Sequence, residues 1–393
     1  MDDGAATLSD RALVPGPGRE APHLLHIFPS YGHGGVPIRI ATVINHFGPR
    51  YRHTIFALDG NDAARSRLDP SLSVVVTDPA IDKRRPLISL FRIRNVLARQ
   101  GPDLLLTYNW GAVEWALVNR LAGISPHIHF ESGFGPEEAD SQIARRVQAR
   151  RIALAKVRAL VVPSQTLVSI ANDIWRLDPA RIRYIPNGVD CTLYDTDGDE
   201  AAVPGFSRRE DEVIVGTVAP LRAEKNLQRL LRVFAKVAGD HAVRLLIAGD
   251  GAERSGLEAA ARDLGIADRV IFAGHVEQPE KVYPLMDIFA ISSDTEQMPN
   301  TLIQAMAASR AVAGVDVGDV KANLSPENRT EIVAKSDEEA FAARLGRLIA
   351  DAEFRHSLAA ANRRHVVEHY SAERMFTEYG KVFDQALSLG SGS

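Results

Sequence analysis

A chain of 393 residues exceeds one comfortable core and points to two or three domains. With 45% hydrophobic and 24% charged residues it has an ordinary globular composition, and no apolar run approaches the ~18 residues of a membrane-crossing helix. The net charge of -4 is uneven, about +6 over residues 21–195 and about -8 over residues 196–393, and the single cysteine, Cys191, rules out a disulfide framework or a cysteine-built zinc site.

Residues 1–20, with the run Pro15-Gly16-Pro17-Gly18, read as an unstructured leader, and the cytoplasm is the expected compartment. Strand-length apolar runs then alternate with helical periodicity. Strands are expected at 23–28, 53–58, 72–76, 103–106, 127–130, 159–162 and 182–185, with helices at 36–47, 87–99, 112–121, 140–157 and 166–175. Basic residues crowd two of these helices: Lys83, Arg84, Arg85, Arg92, Arg94 and Arg99, then Arg145, Arg146, Arg150, Arg151, Lys156 and Arg158. They fit a solvated helix face, or attraction to an anionic membrane surface or a phosphorylated acceptor. No aromatic-interleaved basic motif accompanies them, so nucleic acid is not an expected partner.

The polar stretch 195–209 reads as an interdomain linker. Beyond it come strands at 213–218, 243–248, 270–272, 288–291, 311–315 and 332–334, with helices at 226–237, 254–264, 279–285 and 300–308, and a helical tail over 337–387 broken near Tyr370. Such alternation implies two doubly wound parallel sheets, one in residues 21–195 and one in 196–370.

Ligands of such sheets sit beyond the carboxyl ends of the strands, so chemistry is expected in the loops that follow them. In Ser292-Ser293-Asp294-Thr295-Glu296-Gln297-Met298-Pro299-Asn300-Thr301, a polar loop leads into a helix with Pro299 near its first turn. Free N–H groups and the helix dipole make that start an anion site. A phosphate there would bring its attached sugar to Glu296, and Gln304 could reach a ribose; a routine strand-to-helix connection fits the residues as well. The segment 216–226 ends a strand with two cations, Arg222 and Lys225, before the next helix, and Gly34 and Gly35 follow the first strand, where glycine permits close approach to a ligand.

These segments together resemble the retaining GT-B glycosyltransferases of the large family 4 group, from about residue 23 to residue 388 and most strongly from Ile185 to Val315. The resemblance implies two Rossmann-like domains with a cleft between them, acceptor in the first and donor in the second, and a last helix, 371–390, packing back on the first. It implies transfer of a sugar from a UDP- or GDP-sugar to a saccharide or lipid-linked acceptor, without metal or cofactor. Glu296 stands where the family's first signature glutamate binds donor sugar hydroxyls. Gln304 stands where a second glutamate would be, a departure, since a carboxamide offers one acceptor oxygen and two donor hydrogens. Arg222 and Lys225 inherit the pyrophosphate contacts. Gly251, His275 and Val276 lie where the backbone faces the nucleobase, with Met298, Pro299, Asn300 and Thr301 also on the donor side. Ile185-Pro186-Asn187-Gly188-Val189-Asp190 matches the family's interdomain signature, with a structural role. In the first half the likeness nominates Gly34 and Gly35 beside the donor phosphate, His129 near the anomeric carbon, and Glu131, Ser132, Tyr108 and Asn109 on the acceptor side. His127 and His129 alternate along one strand, so both also fit a packed-strand role.

Asp195-Thr196-Asp197 fits a manganese-binding pattern, but within an acidic run a solvated role suits it better. Gly249, Gly251 and Gly256 fail the dinucleotide fingerprint spacing. Exopolysaccharide or glycolipid assembly is the expected setting, with nucleotide-sugar epimerisation or non-catalytic nucleotide-sugar binding as the alternatives.

Overall fold

The computed structural model describes residues 20–81, 86–134, 136–138, 141–239 and 241–388. Most of the expected leader, Lys83, Arg84, Arg85 and Asp140 lie outside the described residues.

The first half runs β1 (His23–Phe28), α1 (Gly35–Phe47), β2 (Arg52–Ala57), β3 (Val74–Thr77), α2 (Pro86–Gln100), β4 (Leu104–Tyr108) and α3 (Val113–Ala122). It continues β5 (His127–Phe130), α4 (Ala144–Leu154), β6 (Ala159–Val162), α5 (Gln165–Ser169) and β7 (Ile182–Tyr184). These strands form one sheet in the order β3-β2-β1-β4-β5-β6-β7, parallel in every pairing from β3 to β5. β1, β4, β5 and β6 are buried along their whole length, as strands covered on both faces must be, and β4 and β6 are accordingly near-continuous apolar runs. β3, at the edge, alternates half-buried Val74 and Val76 with exposed Val75 and Thr77.

The second half runs β8 (Val213–Val218), α6 (Leu227–Val237), β9 (Val243–Ala248), α7 (Arg254–Asp263), β10 (Val270–Gly274), β11 (Ile288–Ile291), α8 (Asn300–Ala307) and β12 (Ala311–Asp316). Then come α9 (Val320–Asn323), β13 (Ile332–Ala334), α10 (Glu338–Ala350), α11 (Ala352–His369) and α12 (Ala372–Ser388). The second sheet is parallel throughout, in the order β10-β9-β8-β11-β12-β13. In both sheets the order reverses beside the opening strand, between β1 and β4 and between β8 and β11. Crevices for ligands form at such switch points.

Two expectations change. The helix read at 166–175 is α5 followed by a π turn over Ile170–Ile174, closed by Trp175 N–H donating to the Ile170 carbonyl at 3.0 Å. The wider turn leaves the Trp175 ring fully buried. The stretch read as a linker is packed: Val203 and Phe206 are buried in the second core, and the Arg244 guanidinium lies 5.2 Å over the Phe206 ring. Composition marked its polar residues and missed the two apolar ones that anchor it.

The chain divides into two compact units, one holding the residues up to Phe130, Ile152–Leu160 and the chain from Phe383, the other holding Glu131–Arg151 and Val161–Val382. The end of α12 thus contributes Phe383, packed on Phe47 and Tyr51, and Asp384, which accepts from Arg50 at 2.6 and 2.8 Å.

Candidate functional site

At the switch point of the second sheet, the loops after β8 and β11 are laced together. Asp294 N–H donates to the Glu224 carbonyl at 2.8 Å, and Ser292 Oγ donates to the Lys225 carbonyl at 3.0 Å. Asn226, in the left-handed region at φ 41, caps α6 by accepting from Arg229 N–H and donates to Asp294 at 3.0 Å. Arg229 in turn donates to Asp294 at 2.8 Å and to the Ser292 carbonyl at 2.7 Å. This lacing sets Lys225 Nζ 2.6 Å from Glu296 Oε1, which also accepts from Ser293 Oγ at 2.7 Å. The two charged side chains are 20% and 10% exposed, so each is partly desolvated yet open to a ligand. Lys225, Ser293, Glu296 and Thr301 share the lining of a cavity of about 40 Å³. Arg222 stands on the same loop as Lys225 with its side chain 68% exposed.

α8 begins beside this pair. Pro299 is its N-cap rather than a residue of its first turn, and no side chain caps the free N–H groups. Asn187, from the Pro-Asn-Gly turn, is buried and donates through Nδ2 to the Met298 carbonyl at 3.0 Å, fixing the approach to the helix. That gives the turn its structural role. The Met298 side chain is buried against the same asparagine, its sulfur accepting the Asn187 N–H at 3.1 Å. Gln304 Oε1 accepts from the hydroxyl of fully buried Tyr283 at 2.9 Å, which leaves the two amide hydrogens and one lone pair of that oxygen for other partners. Sequence spacing placed Gln304 one turn into the helix but gave no sign of Tyr283.

The glycines after β9 are required by close packing. Gly249 and Gly251 sit at φ 140 and 159, and a Cβ on either would strike the Ala219 or Leu221 carbonyl of the cation-bearing loop. His275, exposed, and Val276, half-buried, follow β10, two strands from the switch point.

A family model described as Glycosyl transferases group 1 matches residues 200–365, and one described as Glycosyltransferase Family 4 matches residues 33–193. Together the two matches, one in each half of the chain, support a glycosyltransferase of family 4 type. An uncharacterized glycosyltransferase of Methanocaldococcus jannaschii is 25% identical over 236 residues, 58% of this chain and 60% of that relative, so the chain spans about three-fifths of its length. D-inositol 3-phosphate glycosyltransferase of Stackebrandtia nassauensis is 26% identical over 311 residues, 72% of this chain and 69% of the relative. HepE of Anabaena, crystallised with UDP, matches at a TM-score of 0.78 and 16% identity over 92% of this chain and 99% of that one. That likeness carries the fold, which is GT-B.

Several residues nominated by the family 4 likeness stand elsewhere than expected. His129 is fully buried, its Nδ1 2.7 Å from Thr107 Oγ1, which also lies 2.7 Å from His127 Nε2; the packed-strand arrangement is the one observed. Tyr108 is fully buried, stacked on Phe28 at 3.9 Å and Phe130 at 5.0 Å, with its hydroxyl 2.9 Å from His26 Nδ1. Glu131 is fully buried and ion-paired to buried Arg150 at 3.4 Å. These three therefore do not offer their side chains to an acceptor. A glutamate or histidine beside a strand end reads alike in sequence whether it faces a ligand or the core.

Asn109 and Ser132 are half-buried. Asn109 holds φ 54 and ψ -177 at the switch point of the first sheet, a strained setting for a residue other than glycine. Gly34 caps α1 from ordinary extended backbone, and a Cβ there would meet only Pro37 Cδ at 3.6 Å, so the fold itself does not require glycine at that place. Gly35 opens α1 and is exposed.

The second basic stretch is partly spent inside. Arg150 bonds buried Glu138 twice at 3.1 Å, Arg146 pairs with Glu137 and Glu138, and Arg151 donates to the Ile174 carbonyl at 2.6 Å. Asp195 is exposed and pairs with Arg363 at 3.4 Å, in keeping with a solvated acidic run. No helix among the described residues is long and apolar enough to cross a membrane.

Proposed function

We propose that this protein transfers a sugar, with retention of anomeric configuration, from a nucleoside diphosphate carrier to a hydroxyl of a saccharide or lipid-linked acceptor. The observation that carries the reading is the Lys225–Glu296 pair at 2.6 Å, held at the switch point beside the uncapped start of α8. Bound there, a diphosphate meets Arg222, Lys225 and the free N–H groups of the helix, while Glu296 accepts hydrogen bonds from sugar hydroxyls. The bond between the anomeric carbon and the phosphate oxygen breaks, its electron pair staying on the diphosphate. The acceptor oxygen bonds to that carbon from the same face, and its proton passes to the departing phosphate oxygen. Fixed cations and aligned N–H groups offset the charge gathering on the leaving group, the role a divalent metal fills in other transferases.

The crystal of HepE with UDP favours a uridine carrier, with a GDP-sugar as the other candidate. Exopolysaccharide or glycolipid assembly on the cytoplasmic side is the proposed setting. With Arg146, Arg150 and Arg151 engaged internally, attraction to an anionic membrane falls to the remaining basic residues. Thermal-shift titration with UDP-, GDP- and ADP-sugars, followed by product analysis with an acceptor panel, tests the reading. Failure of every nucleotide sugar to stabilise the protein would sink it.

A further inference from the structure

Glu296 borders a second, larger cavity of about 320 Å³, at the low end of the ~300–1,000 Å³ range of ligand pockets. Phe134 and Ile174 give the lining apolar surface, and Gln142 and Thr166 add hydrogen-bonding groups. Phe134, Gln142 and Thr166 are each held in place from behind. Arg150 lies 5.3 Å from the Phe134 ring and 5.0 Å from that of Trp175, and Trp175 Nε1 donates to Gln142 Oε1 at 2.9 Å. The amide hydrogens of Gln142 remain as donors. Thr166 Oγ1 donates to Asp319 at 2.6 Å, so its lone pairs remain as acceptors. A lining that mixes apolar side chains with a few fixed polar groups suits a pyranose or cyclitol ring, which presents C–H groups on one side and hydroxyls around its rim.

The lining holds no cation. Glu138, Asp294 and Glu296 line the cavity, each already paired with a cation that stands outside the lining (Arg146 and Arg150, Arg229, Lys225), and no described lysine or arginine lines it. Arg150 is fully buried, its charge taken up by Glu138 and Glu131. A phosphate in the cavity would lose water without gaining a lining cation, whereas a hydroxyl or a protonated amine finds carboxylate and amide oxygens as acceptors.

We propose that this cavity is the acceptor subsite, and that the ring it takes is unphosphorylated, either neutral or bearing an amine. The inference rests on the transferase reading. The ring's hydroxyl oxygen bonds to the anomeric carbon beside Glu296, the carbon–oxygen bond to the diphosphate breaks with its electron pair on phosphate, and the hydroxyl proton goes to that phosphate oxygen.

The test pairs probes of one ring: methyl glucoside, glucosamine and myo-inositol against glucose 6-phosphate, glucosamine 6-phosphate and myo-inositol 1-phosphate, each with the nucleotide sugar that binds. The expected result is transfer to an unphosphorylated member at least tenfold above its phosphorylated counterpart in kcat/KM. Ile174→Trp, which adds bulk to the apolar lining, should raise the KM for that acceptor at least tenfold while kcat at saturation changes less than threefold. Ile174→Arg, which supplies the missing cation, should shift the preference toward the phosphorylated ring by at least fivefold. Preference for a phosphorylated member in the unsubstituted protein, transfer to none of the six, or indifference of both Ile174 variants overturns the proposal. UDP-sugar binding measured alone separates the two levels. Normal donor binding with any of those results removes only the acceptor subsite, and absence of donor binding removes the transferase reading with it.

Discussion

Replacing Lys225 by methionine keeps most of the side-chain volume and removes one charge. In the free protein the change strips Glu296 of a partner at 2.6 Å, though Ser293 Oγ still donates to it at 2.7 Å and water reaches a carboxylate that is 10% exposed. The pair is too open for the cost of a sealed ion pair and too enclosed for that of a surface one, so a loss of about 1–2 kcal/mol is expected. In a large domain that is a fall in Tm of roughly 2–8 °C. In the transition state the same ammonium offsets charge gathering on the departing diphosphate, and removing one such preorganised group costs about 10²–10³ in kcat. The assay is initial-rate kinetics at saturating acceptor beside a melting curve. The prediction is a kcat lowered at least a hundredfold in a protein that still melts cooperatively within that range. A kcat within threefold of the parent would refute the assignment of Lys225 to the leaving group.

Gln304→Glu should strengthen donor binding about fivefold, because one carboxylate oxygen keeps the Tyr283 hydroxyl while the other makes a charge-assisted bond to a ribose hydroxyl; an unchanged Kd in calorimetry would remove Gln304 from the ribose. Arg150→Ala should destabilise its unit by about 3–5 kcal/mol, since it leaves buried Glu131 without the cation paired to it and Glu138 with Arg146 alone; a shift in urea midpoint worth under 1 kcal/mol would contradict the buried network. Burial holds His26 and His127 well below the ordinary histidine value and His53 down to about 4. The unfolded chain therefore binds protons that the fold rejects, so stability is full above about pH 6.5 and is lost progressively as pH falls toward 4. A Tm that stays flat between pH 7.5 and 5 would show that these rings do not resist protonation.

The periodicity of apolar runs was enough for two parallel sheets in series, because strands buried on both faces leave long uninterrupted apolar stretches that few other folds tolerate. Glu296, Lys225 and the start of α8 were legible for a related reason: each lies at a strand's carboxyl end, where local chain geometry already points a loop residue toward the rim. Side-chain direction across the chain was not legible. Whether Glu131 meets Arg150 or an acceptor, whether His129 meets Thr107 or a sugar, and whether the oxygen of Gln304 is taken by Tyr283 all depend on residues distant in sequence. Only packing decides those contacts, since burial of a charged or hydrogen-bonding group is settled by the partner that arrives from another element.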